Sequence, residues 1–169
     1  MSRRNPKSPE VGPGRMDRLI QEREHDTYKV RGKLPDPTAC PECGVMYRAG
    51  RWTWGAPPVD AARRTCPACQ RIQDDYPGGF LTLGGSFPRA HRQEIEGLAR
   101  NVEEREKGQH PLKRIMAMTE QEEGLLITTT DPSLARNIGD ALHHAYRGEL
   151  DYQYSEEGNV LRVTWTRGD

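Results

Sequence analysis

The chain has 169 residues, 34% hydrophobic and 30% charged, with 25 basic against 25 acidic side chains and a formal net charge of zero. That length accommodates one ordinary domain or a small module beside a medium one. The low apolar content predicts one genuine core flanked by disordered or metal-stapled segments. No apolar run approaches the about 20 residues that span a bilayer, and the start "MSRRNPKSPEVGPGR" lacks the apolar stretch of a secretory signal. These features exclude a membrane-spanning protein and lead us to expect a cytoplasmic one.

Charge is unevenly spread. Residues 1–37 carry nine Lys and Arg against six Asp and Glu, residues 38–79 five against four, and residues 80–169 eleven against fifteen. The same blocks define the expected organisation. Residues 1–37 read as a basic, largely disordered tail. Within it, Met16, Leu19 and Ile20 suggest a short amphipathic helix over residues 16–29. "KLPDPTA" follows as an extended linker, because each proline pushes its predecessor away from helical angles.

Residues 38–79 hold all four cysteines. Cys40, Cys43, Cys66 and Cys69 form two C-x-x-C pairs with 22 residues between them. A two-residue gap turns the backbone tightly enough to aim both sulfurs at one point, and four sulfurs at about 2.3 Å complete a tetrahedral zinc shell with no open position. The expected cofactor is therefore structural Zn2+ in a small zinc ribbon. Iron in the same four-sulfur cage, a disulfide pair and a thioredoxin-like redox pair are the alternatives.

Two of the three tryptophans lie beside the first pair, in "CPECGVMYRAGRWTWG". A ribbon of this size needs large side chains under its metal, so at least one indole is expected inside. Tyr47, Arg48, Arg51, Trp52 and Trp54, with Arg63, Arg64 and Arg71 around the second pair, also make the candidate RNA-binding set. Arginines grip phosphates, and aromatic rings stack on unpaired bases.

Residues 80–169 read as an α+β domain. "FLTLGGSF" is a short strand ending in a glycine turn. Ser86 caps a helix from residue 87 to about residue 107, with Ile95, Leu98, Ala99 and Val102 at helical spacing. "LKRIMAM" and "LLITTT" are strands joined by the acidic turn "TEQEEG". Asp131 caps a second helix with Pro132 in its first turn. Leu134, Ile138, Ala141, Leu142 and Ala145 form its buried stripe. "ELDYQY" and "VLRVTW" alternate around "SEEGN" as a hairpin. The expected architecture is a two-layer antiparallel α/β sandwich, αββαββ, a permuted ferredoxin-like fold with both helices on one face.

Three stretches, "DPTACPECGVMYRAGRW", "CPACQRIQDDYPGG" and "ITTTDPSLARNIGDALHHAYRGEL", resemble a bacterial zinc-ribbon family. That family is distantly similar to the adaptor proteins for ribosomal large-subunit export in eukaryotes and archaea. The likeness covers roughly residues 25–167 and is most specific in the cysteine segment. It implies a ribosome or RNA partner. The adaptors have more cysteine pairs in their amino-terminal region, so only Cys40, Cys43, Cys66 and Cys69 carry over.

No motif announces an enzyme. His143 and His144 are adjacent on a helix and point about 100° apart, so they do not share a ligand, while Asp140 is four residues from His144 and could pair with it. His25, His91 and His110 are isolated. "GGFLTLGGS" lacks the phosphate-cradling pattern ending in Gly-Lys-Ser/Thr. The expected role is a non-catalytic, ribosome-associated adaptor in which the ribbon binds RNA and residues 80–169 face a protein partner. The rival is a metal-stapled protein-interaction module or oligomeric scaffold without RNA binding.

Overall fold

The computed structural model describes residue 28 and residues 34–168. Of the expected tail, only residue 28 and residues 34–37 are described, and of the helix expected over residues 16–29, only residue 28.

Two sheets organise the described residues. The first is built from β1 (Thr38–Ala39), β2 (Met46–Arg48), β3 (Arg51–Thr53) and β4 (Ala62–Arg63) in the order β3-β2-β1-β4. β1 runs antiparallel to β2 and parallel to β4, and β2 and β3 form a hairpin. The hairpin turns on Ala49 and Gly50, both at positive φ (52° and 79°), as a two-residue turn between right-twisted strands requires. Helix α1 (Pro67–Asp74) follows β4 and ends on Asp75, itself in the left-handed region (φ 49°).

The larger sheet contains β5 (Gly79–Gly84), β6 (Ile115–Gln121), β7 (Gly124–Thr129), β8 (Glu149–Tyr154) and β9 (Leu161–Thr166) in the order β6-β7-β5-β9-β8. Helices α2 (Ser86–Ala90) and α3 (Arg92–Gln109) connect β5 to β6, and α4 (Pro132–Tyr146) connects β7 to β8. Period-two alternation sends Leu81, Leu83, Leu125, Ile127, Leu161, Val163 and Trp165 inward. There they form one buried cluster with Phe87 of α2, Ile95, Ala99 and Val102 of α3, and Leu134, Ala135, Ile138 and Leu142 of α4. All three helices thus cover the same face. Thr82, Arg162 and Thr164 are exposed on the other.

The two-layer α+β arrangement agrees with the sequence reading, but the order αββαββ and the purely antiparallel sheet need correction. β5 is a full member at the sheet's centre, pairing antiparallel with β7 and parallel with β9. The parallel pair arises because β8 takes the outer edge and β9 returns beside β5. The long helix expected from residue 87 is divided at His91, whose backbone (φ −117°, ψ 30°) leaves helical geometry while its ring stacks on Phe87 at 4.1 Å. On α4, Gly139 brings the helix against the sheet. A Cβ there would lie 2.9 Å from Val163 Cγ1 and 3.2 Å from Leu150 Cδ1.

Among the described residues, no helix is long and apolar enough to cross a membrane.

Candidate metal centre

The first cysteine pair sits in the turn between β1 and β2. Gly44 N donates to Cys40 O at 2.9 Å and Cys40 N to Val45 O at 2.9 Å. Gly44 takes φ 81° and fully buried Val45 packs beneath. The second pair starts α1. Cys66 is the N-cap, and its sulfur accepts from Cys69 N at 3.4 Å, while Pro67 fills the first helical position, where its missing N–H costs nothing. Sequence reasoning placed a bare knuckle here. The helix escaped notice because a cysteine sulfur is not among the usual capping groups.

These two turns converge. The four sulfurs lie within 4.8 Å of one another, and Cys43 Sγ is 3.8 Å from Cys66 Sγ. All four are free thiols, with Cys40, Cys66 and Cys69 buried and Cys43 half-buried. Metal–sulfur bonds of about 2.3 Å in a tetrahedron need sulfur–sulfur edges of about 3.8 Å, so the donor set fits a tetrahedral four-coordinate ion. It leaves no vacant position for substrate.

Electrostatics differs among the buried thiols. Burial pushes the Cys66 thiol far up, and the neighbouring Cys43 and Cys69 sulfurs add to the rise. Burial also raises Cys69. At Cys40 burial acts upward too, but backbone N–H groups of Cys66, Cys43 and Glu42 outweigh it and hold the thiol at about 7. Crowded thiolates oppose one another's ionisation, and a bound dication relieves that opposition.

The sulfurs also have a partner from the other unit. Arg114, 7% exposed, donates through one guanidinium nitrogen to Cys69 Sγ (3.2 Å) and through the other to Cys43 Sγ (3.1 Å). Trp54 Nε1 donates to Lys107 O at 2.8 Å, and the Arg114 guanidinium lies 5.7 Å from its ring centre. Leu112 packs against the cysteine cluster. Nothing local in "LKRIMAM" marks Arg114 as a neighbour of the cysteines, since the contact spans 45 residues of sequence from Cys69.

The eight residues chosen for RNA divide between locations. Arg48 and Arg51 are directly opposite in the β2–β3 register. Through Met46 and Ala39 they share a face with Arg63, and Arg64 is the next residue, also exposed. Among the described residues none of these four guanidinium groups has an acidic partner within 4.0 Å or a hydrogen bond. Tyr47 and Trp52 occupy the opposite face, edge-to-face at 5.3 Å, with Trp52 against the cysteine core. Trp54 lies at the junction with the sandwich. Arg71, on α1, stands over Tyr28 (4.5 Å) and Tyr76 (5.8 Å). The structure thus gathers the arginines of the hairpin and β4 but not the aromatic rings with them.

On α4, Asp140 accepts the Tyr152 hydroxyl rather than pairing with His144. His143, His144 and His110 are exposed, and His91 Nδ1 meets Glu94 at 3.2 Å. His25 lies outside the described residues. The four cysteines are the only potential metal-holding group among the described residues.

No family model matches the chain, and neither a curated protein nor a solved structure is significantly similar to it.

Proposed function

We propose that the chain is a non-catalytic cytoplasmic adaptor whose Zn2+-stapled ribbon binds RNA, with the ribosome as its setting. Zinc is favoured by four soft sulfur donors in a closed tetrahedral shell, which suits a structural ion. The observation that carries the RNA reading is the pairing of Arg48 with Arg51. Like charges directly opposite in a hairpin weaken it, and these have no acidic partner among the described residues. Three of the eleven Lys and Arg of residues 80–169 make ion pairs among the described residues. Arg92, Arg100 and Lys113 all meet carboxylates. Unpaired arginines on one ribbon face, with Arg63 nearby, suit a phosphate backbone.

The resemblance to export adaptors favours the same partner, though the arginines carry the reading without it. A ferredoxin-like description of the sandwich is supported by the order β6-β7-β5-β9 but not by the direction of β9, which runs parallel to β5, and β8 is an added edge strand. A second reading, a protein-interaction module, is favoured by the sheet face that the helices leave uncovered, where Phe80 and Leu126 are half-buried beside exposed Thr82 and Thr164.

The test is fluorescence anisotropy with a single-stranded RNA at several salt concentrations. Affinity should fall as salt rises, with a log–log slope of about 0.7 per phosphate contacted. Replacing both Arg48 and Arg51 by Ala should weaken binding and flatten that slope by about 1.4. Absence of binding at low salt, with a salt-insensitive dimer instead, would favour the protein-interaction reading.

A further inference from the structure

Arg114 is a buried cation that belongs to the sandwich yet finds its partners in the ribbon. Its chain position is clamped on both sides. Arg114 N donates to Thr130 Oγ1 at 3.0 Å, Thr130 N donates to Arg114 O at 2.9 Å, and Arg114 Nε donates to Pro111 O at 3.0 Å. The next residue, Ile115, gives its N–H to the buried carboxylate of Glu103 at 2.5 Å. With the backbone held from α3 and β7, the guanidinium is aimed before any metal arrives. It reaches Cys43 in one knuckle and Cys69 in the other at 3.1 and 3.2 Å, with Cys66 Sγ farther off at 3.9 Å. No carboxylate lies within ion-pair distance of it among the described residues.

A dication with four thiolates carries a formal charge of −2, and one guanidinium in contact reduces that to −1. The reverse dependence is as strong. A buried guanidinium without an anion is costly, and among the described residues these sulfurs are the only groups within reach that can carry negative charge. When the metal leaves, the two knuckles are no longer held together, and the fork of donors loses the paired geometry it was built for.

We propose that Arg114 is a latch: the sandwich's built-in counter-cation to the metal–thiolate centre, so that metal occupancy decides whether ribbon and sandwich stay docked. Arg114 is a positioning residue in this role, not a ligand. A lysine in its place keeps the charge but cannot bridge two sulfurs with a planar fork. The latch rests on the metal reading of the four cysteines, and the two can fail separately.

The test uses the full-length protein with Zn2+ and with Co2+ as a spectroscopic probe. Arg114→Met should lower Zn2+ affinity about 10- to 100-fold, as loss of an outer-shell partner does. It should also move the thiolate-to-cobalt charge-transfer band to lower energy, because the sulfur lone pairs lose a cation and its N–H donors. In the wild type, chelation should speed amide hydrogen exchange in residues 110–116 of the sandwich as well as in the ribbon, leaving β5 and β9 protected. Protection of β5 and β9 in the variant serves as the folding control. If Arg114→Met does not fold, Arg114→Lys should show the same direction of band shift and weaker binding. A folded variant with wild-type affinity and an unmoved band would overturn the latch, as would exchange at residues 110–116 indifferent to chelation. A wild-type protein that takes up neither ion would overturn the metal centre itself.

Discussion

Arg48 and Arg51 face each other across Ala49 and Gly50, and on the proposed reading this placement serves binding rather than folding. Relieving the repulsion should cost the fold nothing. Arg48→Ala is expected to leave the thermal midpoint unchanged or higher while weakening RNA binding, with calorimetry and anisotropy on the same sample deciding. A fall in the midpoint together with unchanged binding would assign the pair a structural role. Trp54 is the opposite case. Its indole N–H is committed to Lys107 O, so Trp54→Phe should destabilise the ribbon–sandwich junction by about 1 kcal/mol, read by urea unfolding. Residue chemistry singled out the four clustered cysteines from spacing alone, because two C-x-x-C pairs at this separation match a metal-holding pattern. It did not identify Arg114 or sort Trp54 from the arginines, since their roles depend on contacts 45 and 53 residues distant in sequence.

Among the elements, α4 was legible and α1 was not. α4 declares itself through Asp131, whose carboxylate accepts Leu134 N at 2.8 Å and Ser133 Oγ at 2.6 Å, and through apolar residues at helical spacing. Asp131→Ala should therefore cost about 1 kcal/mol. Leu142→Ala, at a fully buried site between helix and sheet, should cost about 2–5 kcal/mol. Both are measurable by denaturant unfolding, and near-neutral values would contradict this packing. β5 shows where local pattern stops. Alternating Leu81 and Leu83 mark a strand, but nothing in "FLTLGG" says that it pairs with β7 on one side and β9 on the other. That neighbourhood is set by which strands the helices bring back across the sheet. At α1, eight residues capped by a ligand sulfur offered neither length nor a familiar cap.

At the scale of the whole molecule, the described residues form two cores of unequal independence. The sandwich buries a continuous apolar cluster that includes Trp165. The ribbon's core is little more than Val45, Ala68 and the cysteines themselves, with Trp52 and Leu112 alongside. A core so small cannot offset the entropy of ordering its chain, so metal must supply the difference. Chelation should therefore perturb the fluorescence of Trp52 and Trp54 while the sandwich retains its circular dichroism and a cooperative melt. Acidification should act in the same direction, because protonated thiols do not ligate.

The most direct measurement is the metal content of reduced, full-length protein by native mass spectrometry, followed through chelation by tryptophan fluorescence. One Zn2+ per chain, removed together with the native signal of Trp52 and Trp54, is the predicted result. A chain that carries no stoichiometric metal, or whose indole signal ignores the chelator, would contradict the account.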